Sequence, residues 1–379
     1  MFTFNLQFDV EIFIYTCLII FGFSIFLREK EIVYSILDSL VLIPTLVLNC
    51  FYGHSMNILL IYILLKAFIE ALKAFTVKVK IPKLRGYFEE KNIWVRPVIL
   101  VYAFVVLTQV IQTGGTLNPL ENYFNSYSIR ADSSYPGFLG YLFNGFLFLV
   151  VPLIFYFFDK RSYKGVLIIS LIAIMIYSLM PLTLYILITF LMIVVEVGKK
   201  VTKWSYSTLI QLTVTSALLI SFLDVTLMNM MINRFYFTVG VNNLFYLDYF
   251  FLNDLYLFQN SKIGIFFDSN NYSEVPGLII DRYYYYGRGS NQSGGVIASA
   301  FANGGTIGVL LTLMILSLVI IFIEATHNLQ EGLRIKVLLG LALVNFPLHQ
   351  LFLTNGLFVY LILKALSKNR SLALTTGNY

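Results

Sequence analysis

Charge is scarce in this sequence. Lys and Arg number 26 and Asp and Glu 20 in 379 residues, so 12% are charged, about half the ~25% usual in soluble domains. That shortage excludes a soluble globular enzyme, a disordered chain and a nucleic-acid-binding module. Cysteine is nearly absent. Cys17 and Cys50 are the only two, each inside an apolar run, so no disulfide framework is indicated. No basic residue precedes the first apolar stretch, and a cleaved signal peptide is therefore not expected. HExxH, paired-cysteine, DxD and Walker A patterns are missing, which argues against a bound metal, a cofactor or ATP-driven chemistry within the chain. Fixed-period repeats, low-complexity tracts and a separate soluble domain are missing too. The whole of 1–379 reads as one membrane domain.

What is present is hydrophobicity: 58% of residues are apolar, and mean hydropathy is +0.80. A bilayer core of ~30 Å takes ~20 apolar helical residues to cross. Spans are expected near 9–27, 33–51, 57–75, 93–111, 138–158, 208–228, 296–323 and 337–353, with a short last one near 357–366. The stretch 166–197 is too long for one helix. It lies between two basic segments, Lys160–Arg161–Lys164 and Lys199–Lys200–Lys203. If both face the cytoplasm, the chain crosses twice between them, as two short helices meeting at Tyr177–Pro181 or as a re-entrant hairpin. The expected fold is all-α and polytopic, with about eleven transmembrane helices.

The net charge of +6 follows from this topology. Of the 26 basic residues, five are external (Arg130, Arg234, Lys262, Arg282, Arg288). Lys66 and Arg96 lie within spans, which leaves 19 on the cytoplasmic side, a strong positive-inside pattern. Two external segments are long, 112–137 and 229–295. The second is crowded with Tyr, Phe and Leu, a composition suited to helices lying at the interface.

Chemistry is sought in those external segments. Arginine forks suit phosphate oxygens, so Arg130, Arg234, Arg282 and Arg288 are candidates for binding a polyanionic group. Each could equally snorkel to a lipid headgroup. Ser290–Asn291–Gln292–Ser293–Gly294–Gly295 precedes a helix start, where free N–H groups favour anions; a tight turn would look the same. Ala298, Ala300, Ala302, Gly304, Gly305 and Gly308 fit close helix packing. Candidate general bases are His349 and His54 and the external acids Glu121, Asp132, Asp248, Asp254, Asp268, Glu274 and Asp281, of which Glu274 and Asp281 lie nearest the arginines. Asp38, Lys66, Glu70 and Asp224 fall within or near spans, where ionisable groups are costly; Lys66 and Glu70 are spaced to pair.

Three stretches carry a family resemblance. The first is Asn125–Ser126–Tyr127–Ser128–Ile129–Arg130–Ala131–Asp132, followed by Gly137–Phe138–Leu139–Gly140–Tyr141–Leu142. The second is Asn233–Arg234–Phe235, leading through Asn243 to Tyr246 and Asp248–Tyr249. The third runs from Asn291–Gln292–Ser293–Gly294–Gly295 to Asn303–Gly304–Gly305. In order and loop placement, over about 112–323, they resemble the bacterial oligosaccharide repeat-unit polymerases of the Wzy class, relatives of the O-antigen ligases. The resemblance implies a metal-independent glycosyltransferase of the C type in the bacterial cytoplasmic (inner) membrane. Its substrate would be an undecaprenyl-diphosphate-linked oligosaccharide, joined into O-antigen or capsule at the outer face. Membrane lipids and a chain-length regulator are the implied partners, and nucleic acid is not. Arg130 and Arg234 match family arginine positions, Tyr127 stands in the Y-x-x-R segment, and Asn291 matches a polar position before the late span. Arg282 and Arg288 stand where the family has a simpler tyrosine-containing stretch. Substrate binding is thus expected at Tyr127, Arg130, Arg234, Arg282, Arg288 and Asn291, and catalysis from among His349, Glu274 and Asp281. A ligase and a lipid-linked-oligosaccharide flippase are the rivals.

Overall fold

The computed structural model describes residues 8–26, 31–52, 55–79, 88–89, 95–113, 137–179, 183–202, 204, 208–209, 212, 238–259, 272–287 and 292–368. Apart from short turns and connections, these residues are helical, with a two-residue parallel pairing of β1 (Phe88–Glu89) with β2 (Ser367–Lys368). The expected span 208–228 falls almost wholly outside them, as do His54 and Asp224.

The chain forms two compact units, each drawing on distant segments. The first takes 1–80, 214–321 and 339–348. The second takes 81–213, 322–338 and 349–379.

In the first unit, α1 (Val10–Phe26) is followed by one long apolar helix, Ile32–Tyr52. That helix has three parts: α2 (Ile32–Leu37), a π-helical segment Asp38–Leu42, and α3 (Ile43–Tyr52). The cause is local. Pro44 has no N–H and cannot continue the i→i−4 ladder, and the turn before it widens so that the Ile43 N–H reaches the Asp38 carbonyl. Then come α4 (Met56–Lys78), and, in the segment 229–295, α10 (Thr238–Leu252) and α11 (Pro276–Tyr284). α10 packs against α3, and α11 against α10.

The second unit holds α5 (Val95–Thr113), α6 (Gly137–Leu149), α7 (Leu153–Asp159), α8 (Tyr163–Leu179), α9 (Thr183–Thr202) and α15 (Leu357–Leu366). Pro152 separates α6 from α7 inside the expected span 138–158. The ambiguous stretch 166–197 forms two helices, α8 and α9. Three further helices run across the boundary between the units: α12 (Gly295–Thr326), α13 (Leu329–Asn345) and α14 (Leu348–Leu353).

Among the described residues, three helices are long and apolar enough to cross a bilayer: Ile32–Tyr52, Leu139–Asp159 and Gly295–Thr326. α12 also displays the face such a helix needs. Ile307, Leu311, Ile315 and Leu318 are exposed at spacings of four, four and three, an unbroken apolar stripe along one side.

α12 is not one straight rod. Gly305 sits at φ 57, ψ −150 and breaks the helix after Asn303, in a region open to glycine alone. Close packing, the sequence expectation for these small residues, does not account for Gly304 and Gly305. A Cβ at Gly304 would meet nothing within 4 Å, and one at Gly305 would only touch Leu255 at 3.8 Å. Their role is the break. Gly308 does fit the packing expectation, since a Cβ there would lie 2.6 Å from the Ala300 carbonyl oxygen.

Candidate functional site

The described part of the segment 229–295 is built around α10. Its polar residues Asn242, Asn243 and Tyr246 recur at i, i+1 and i+4 and so share a face, and all three are buried. They reach the turn before α12 and the first turn of α12 itself. Asn242 Nδ2 donates to the Ser293 carbonyl (2.9 Å), and the Tyr246 hydroxyl donates to the Gln292 carbonyl (2.8 Å). Asn243 Oδ1 accepts from the Ala298 N–H (3.1 Å), capping an N–H that the helix start leaves open.

The Gly-rich turn is therefore used internally. Ser293 Oγ bonds to the Asn345 carbonyl, and Gly295 at φ 63 packs so tightly that a Cβ would strike the Val344 carbonyl oxygen. This is the tight-turn reading of Gln292–Gly295, and the Gln292 N–H donates to the Gly277 carbonyl (3.2 Å).

α11 closes over the other side of α10. Tyr284 stacks on Phe245 (4.2 Å between centroids, 6° between planes), and the Tyr285 hydroxyl donates to Asn242 Oδ1 (2.8 Å). The Tyr284 hydroxyl donates to Asp248 Oδ2 (2.6 Å). One residue on along α10 and one residue back along α11, Tyr249 meets Tyr283 edge-on at 5.2 Å. The tyrosine run thus divides: Tyr285 is buried and Tyr284 half-buried, while Tyr283 and Tyr286 stand out at 70% and 83% exposure. Burial pushes the Tyr246, Tyr284 and Tyr285 phenols up, and the Asp248 carboxylate raises Tyr284 further. These hydroxyls stay protonated and serve as neutral donors.

The connection after α10 is fastened to the break in α12. The Tyr256 N–H donates to the Ala302 carbonyl (2.7 Å), and the Phe258 N–H to Asn303 Oδ1 (2.6 Å). Buried Asn303 supplies an acceptor that helps hold this connection in place.

Of the expected site residues, Tyr127, Arg130, Arg234, Arg288 and Asn291 lie outside the described residues. Arg282 is exposed on α11 and ion-paired with Glu274, which ties one arginine candidate to one base candidate. Asp281 is buried, and Gln292 Nε2 donates to its Oδ1 (3.1 Å). His349 belongs to the second unit, at the start of α14. Sequence reasoning missed Asn242 and the Asp248–Tyr284 pair as partners. The polar pattern at 242, 243 and 246 in an otherwise apolar helix was the available signal.

The ionisable residues within spans also find partners. Lys66 pairs with Asp38, at the start of the π-helical segment, and lies 3.5 Å from Glu70, which binds Lys73 more closely (2.7 Å). The expected Lys66–Glu70 pair is thus the longest link of a four-residue ladder. No group of three or more His, Cys, Asp or Glu side chains able to hold a metal ion occurs among the described residues.

No protein-family model, curated protein or solved structure matches this chain.

Proposed function

We propose that the protein is a polytopic glycan polymerase of the C type, with about eleven spans, in the bacterial cytoplasmic membrane. It joins undecaprenyl-diphosphate-linked oligosaccharide units at the outer face into O-antigen or capsule. A chain-length regulator is its expected partner.

One observation carries the reading. The second and third stretches of the Wzy resemblance lie about fifty residues apart in sequence and are bound together by three hydrogen bonds: Asn242 to Ser293, Tyr246 to Gln292, and Ala298 to Asn243. Motifs of one site are expected to meet in space, and these do.

The chemistry is compatible with the residues. Arg130, Arg234, Arg282 and Arg288 hold the diphosphate and offset the charge it develops as it leaves, which preorganised cations do without a metal. Tyr127 and Asn291 contact the same substrate. Exposed tyrosines offer apolar faces for sugar rings.

A flippase is the second reading, favoured by the Asp38–Lys66–Glu70–Lys73 ladder inside helices, since such groups line transport pathways. A ligase is the third, with the same donor and another acceptor. Deleting the gene and displaying the surface glycan on a gel separates them. A polymerase null leaves single repeat units on the final acceptor, a ligase null leaves long chains on the lipid, and a flippase null leaves units on the inner leaflet. Arg130→Ala and Arg234→Ala reproduce the polymerase null at normal protein abundance; full chain length in both refutes the arginine assignment.

A further inference from the structure

A polymerase of this kind needs a base for the acceptor hydroxyl. The requirement is geometric: a carboxylate held in one orientation, with a lone pair open to the ligand and a surface beside it on which a sugar ring can rest. The acids of the α10–α11 segment differ sharply on these criteria. Glu274 is committed to Arg282. Asp281 is 1% exposed beneath Gln292. The Asp254 carboxylate is exposed, and no hydrogen bond fixes it among the described residues.

Asp248 is the exception. It is partly exposed, and Oδ2 is fixed by the Tyr284 hydroxyl at 2.6 Å. Among the described residues neither of its oxygens has a cation partner, and Oδ1 makes no hydrogen bond. Tyr284 cannot drift, because its ring is stacked on Phe245, which Tyr52 braces edge-on from α3. The neighbouring pair, Tyr249 and Tyr283, forms an aromatic corner, and the Tyr283 ring lies 5.5 Å from that of Tyr284, the partner of the carboxylate. Consecutive residues of two helices thus pair crosswise, 248 with 284 and 249 with 283, setting a fixed carboxylate near an exposed ring.

The geometry points to Asp248 as the general base of this protein, with Tyr284 as its positioning residue and Tyr283 as the platform for the acceptor sugar. The inference rests on the polymerase reading above. In the step it describes, Asp248 Oδ1 takes the proton of the acceptor hydroxyl. The hydroxyl oxygen forms its bond to the anomeric carbon of the growing glycan. The bond from that carbon to the diphosphate oxygen breaks, and its electron pair leaves with the undecaprenyl diphosphate. The proton then passes from Asp248 to water.

The probe is the lipid-linked repeat unit that accumulates in a strain lacking the gene, extracted and supplied to purified full-length protein. Asp248→Asn keeps an acceptor for Tyr284 and loses the base. Its kcat falls at least about 100-fold, the range of general-base catalysis, while KM and the thermal midpoint stay at wild-type values. Asp248→Glu restores part of the rate. Tyr283→Ala raises KM, and Tyr283→Trp, which keeps the ring face, restores it. Wild-type kcat in Asp248→Asn overturns the assignment and leaves the polymerase reading standing. Long chains persisting in the deletion strain overturn both. Where Asp248→Asn fails to accumulate, Tyr284→Phe decides: the carboxylate remains but is no longer fixed, so a lower kcat at unchanged KM supports the pair, and an unchanged kcat refutes it.

Discussion

Replacing Arg334 with Met tests whether the second unit is held by a single buried cation. Arg334 is 2% exposed and makes four charge-assisted hydrogen bonds. Nε and Nη2 donate to Glu196 at 2.9 and 2.7 Å, and Nη1 and Nη2 donate to Asp159 at 2.7 and 2.9 Å. The guanidinium also lies 5.4 Å from the centre of the Phe155 ring. Three helices, α7, α9 and α13, therefore meet on one side chain. The two acids would respond differently to its loss. The Asp159 side chain is half exposed and would rehydrate, whereas Glu196 is 2% exposed and would lose its bidentate arginine partner inside the protein. Breaking a buried pair from one side costs about 3–5 kcal/mol, and nearly all of it falls on Glu196. Adding Glu196→Gln removes its charge, so the double variant regains most of the loss. The assay is denaturant unfolding of the purified protein in mixed micelles, run as a double-mutant cycle. A single variant within about 1 kcal/mol of wild type, or a double variant no more stable than Arg334→Met, refutes the reasoning.

Other outcomes follow from the same coordinates. Gly295→Ala places a Cβ against the Val344 carbonyl at positive φ and sharply lowers folded yield, whereas Gly140→Ala, with nothing within 4 Å, does not; fluorescence-detected size exclusion compares them. Asn243→Leu removes the acceptor for the Ala298 N–H and costs about 1–2 kcal/mol, the range of a lost cap, read as a lower thermal midpoint. Burial pushes the Tyr272 phenol from 10.0 up to about 12. Its contribution is present in full below pH 10 and lost as pH rises through about 12. Tyr272→Phe therefore makes stability less sensitive to pH across that window, and an unchanged slope would contradict the assignment.

Helices were legible wherever hydropathy alone decides them. Val10–Phe26 falls within 9–27, and Leu357–Leu366 begins where the last span was expected. The stretch 166–197, too long for one helix, forms two, α8 and α9. What escaped was everything that depends on partners far apart in sequence. Asp159, Glu196 and Arg334 drew no expectation from the sequence, yet they form a clamp across 175 positions. Gly304–Gly305 looked like a packing stripe because small side chains serve both close approach and backbone freedom, and only φ and ψ tell them apart. In the site, Asn243, Tyr246 and Gln292–Gly295 were singled out individually, but their mutual hydrogen bonds have no signature in spacing. Asp248 was one acid among seven until Tyr284 distinguished it.

The break in α12 fixes a height. Below it, Thr306–Thr326 is an uninterrupted helix about 32 Å long at 1.5 Å per residue, close to the thickness of a hydrocarbon core. Above it, Tyr256 and Phe258 are moored to Ala302 and Asn303. The break therefore acts as a waterline mark. On the proposed reading, the chemistry of α10 and α11 would take place at a depth measured from Gly305, and a bilayer of different thickness would raise or submerge it together with the membrane-anchored end of a lipid-borne substrate.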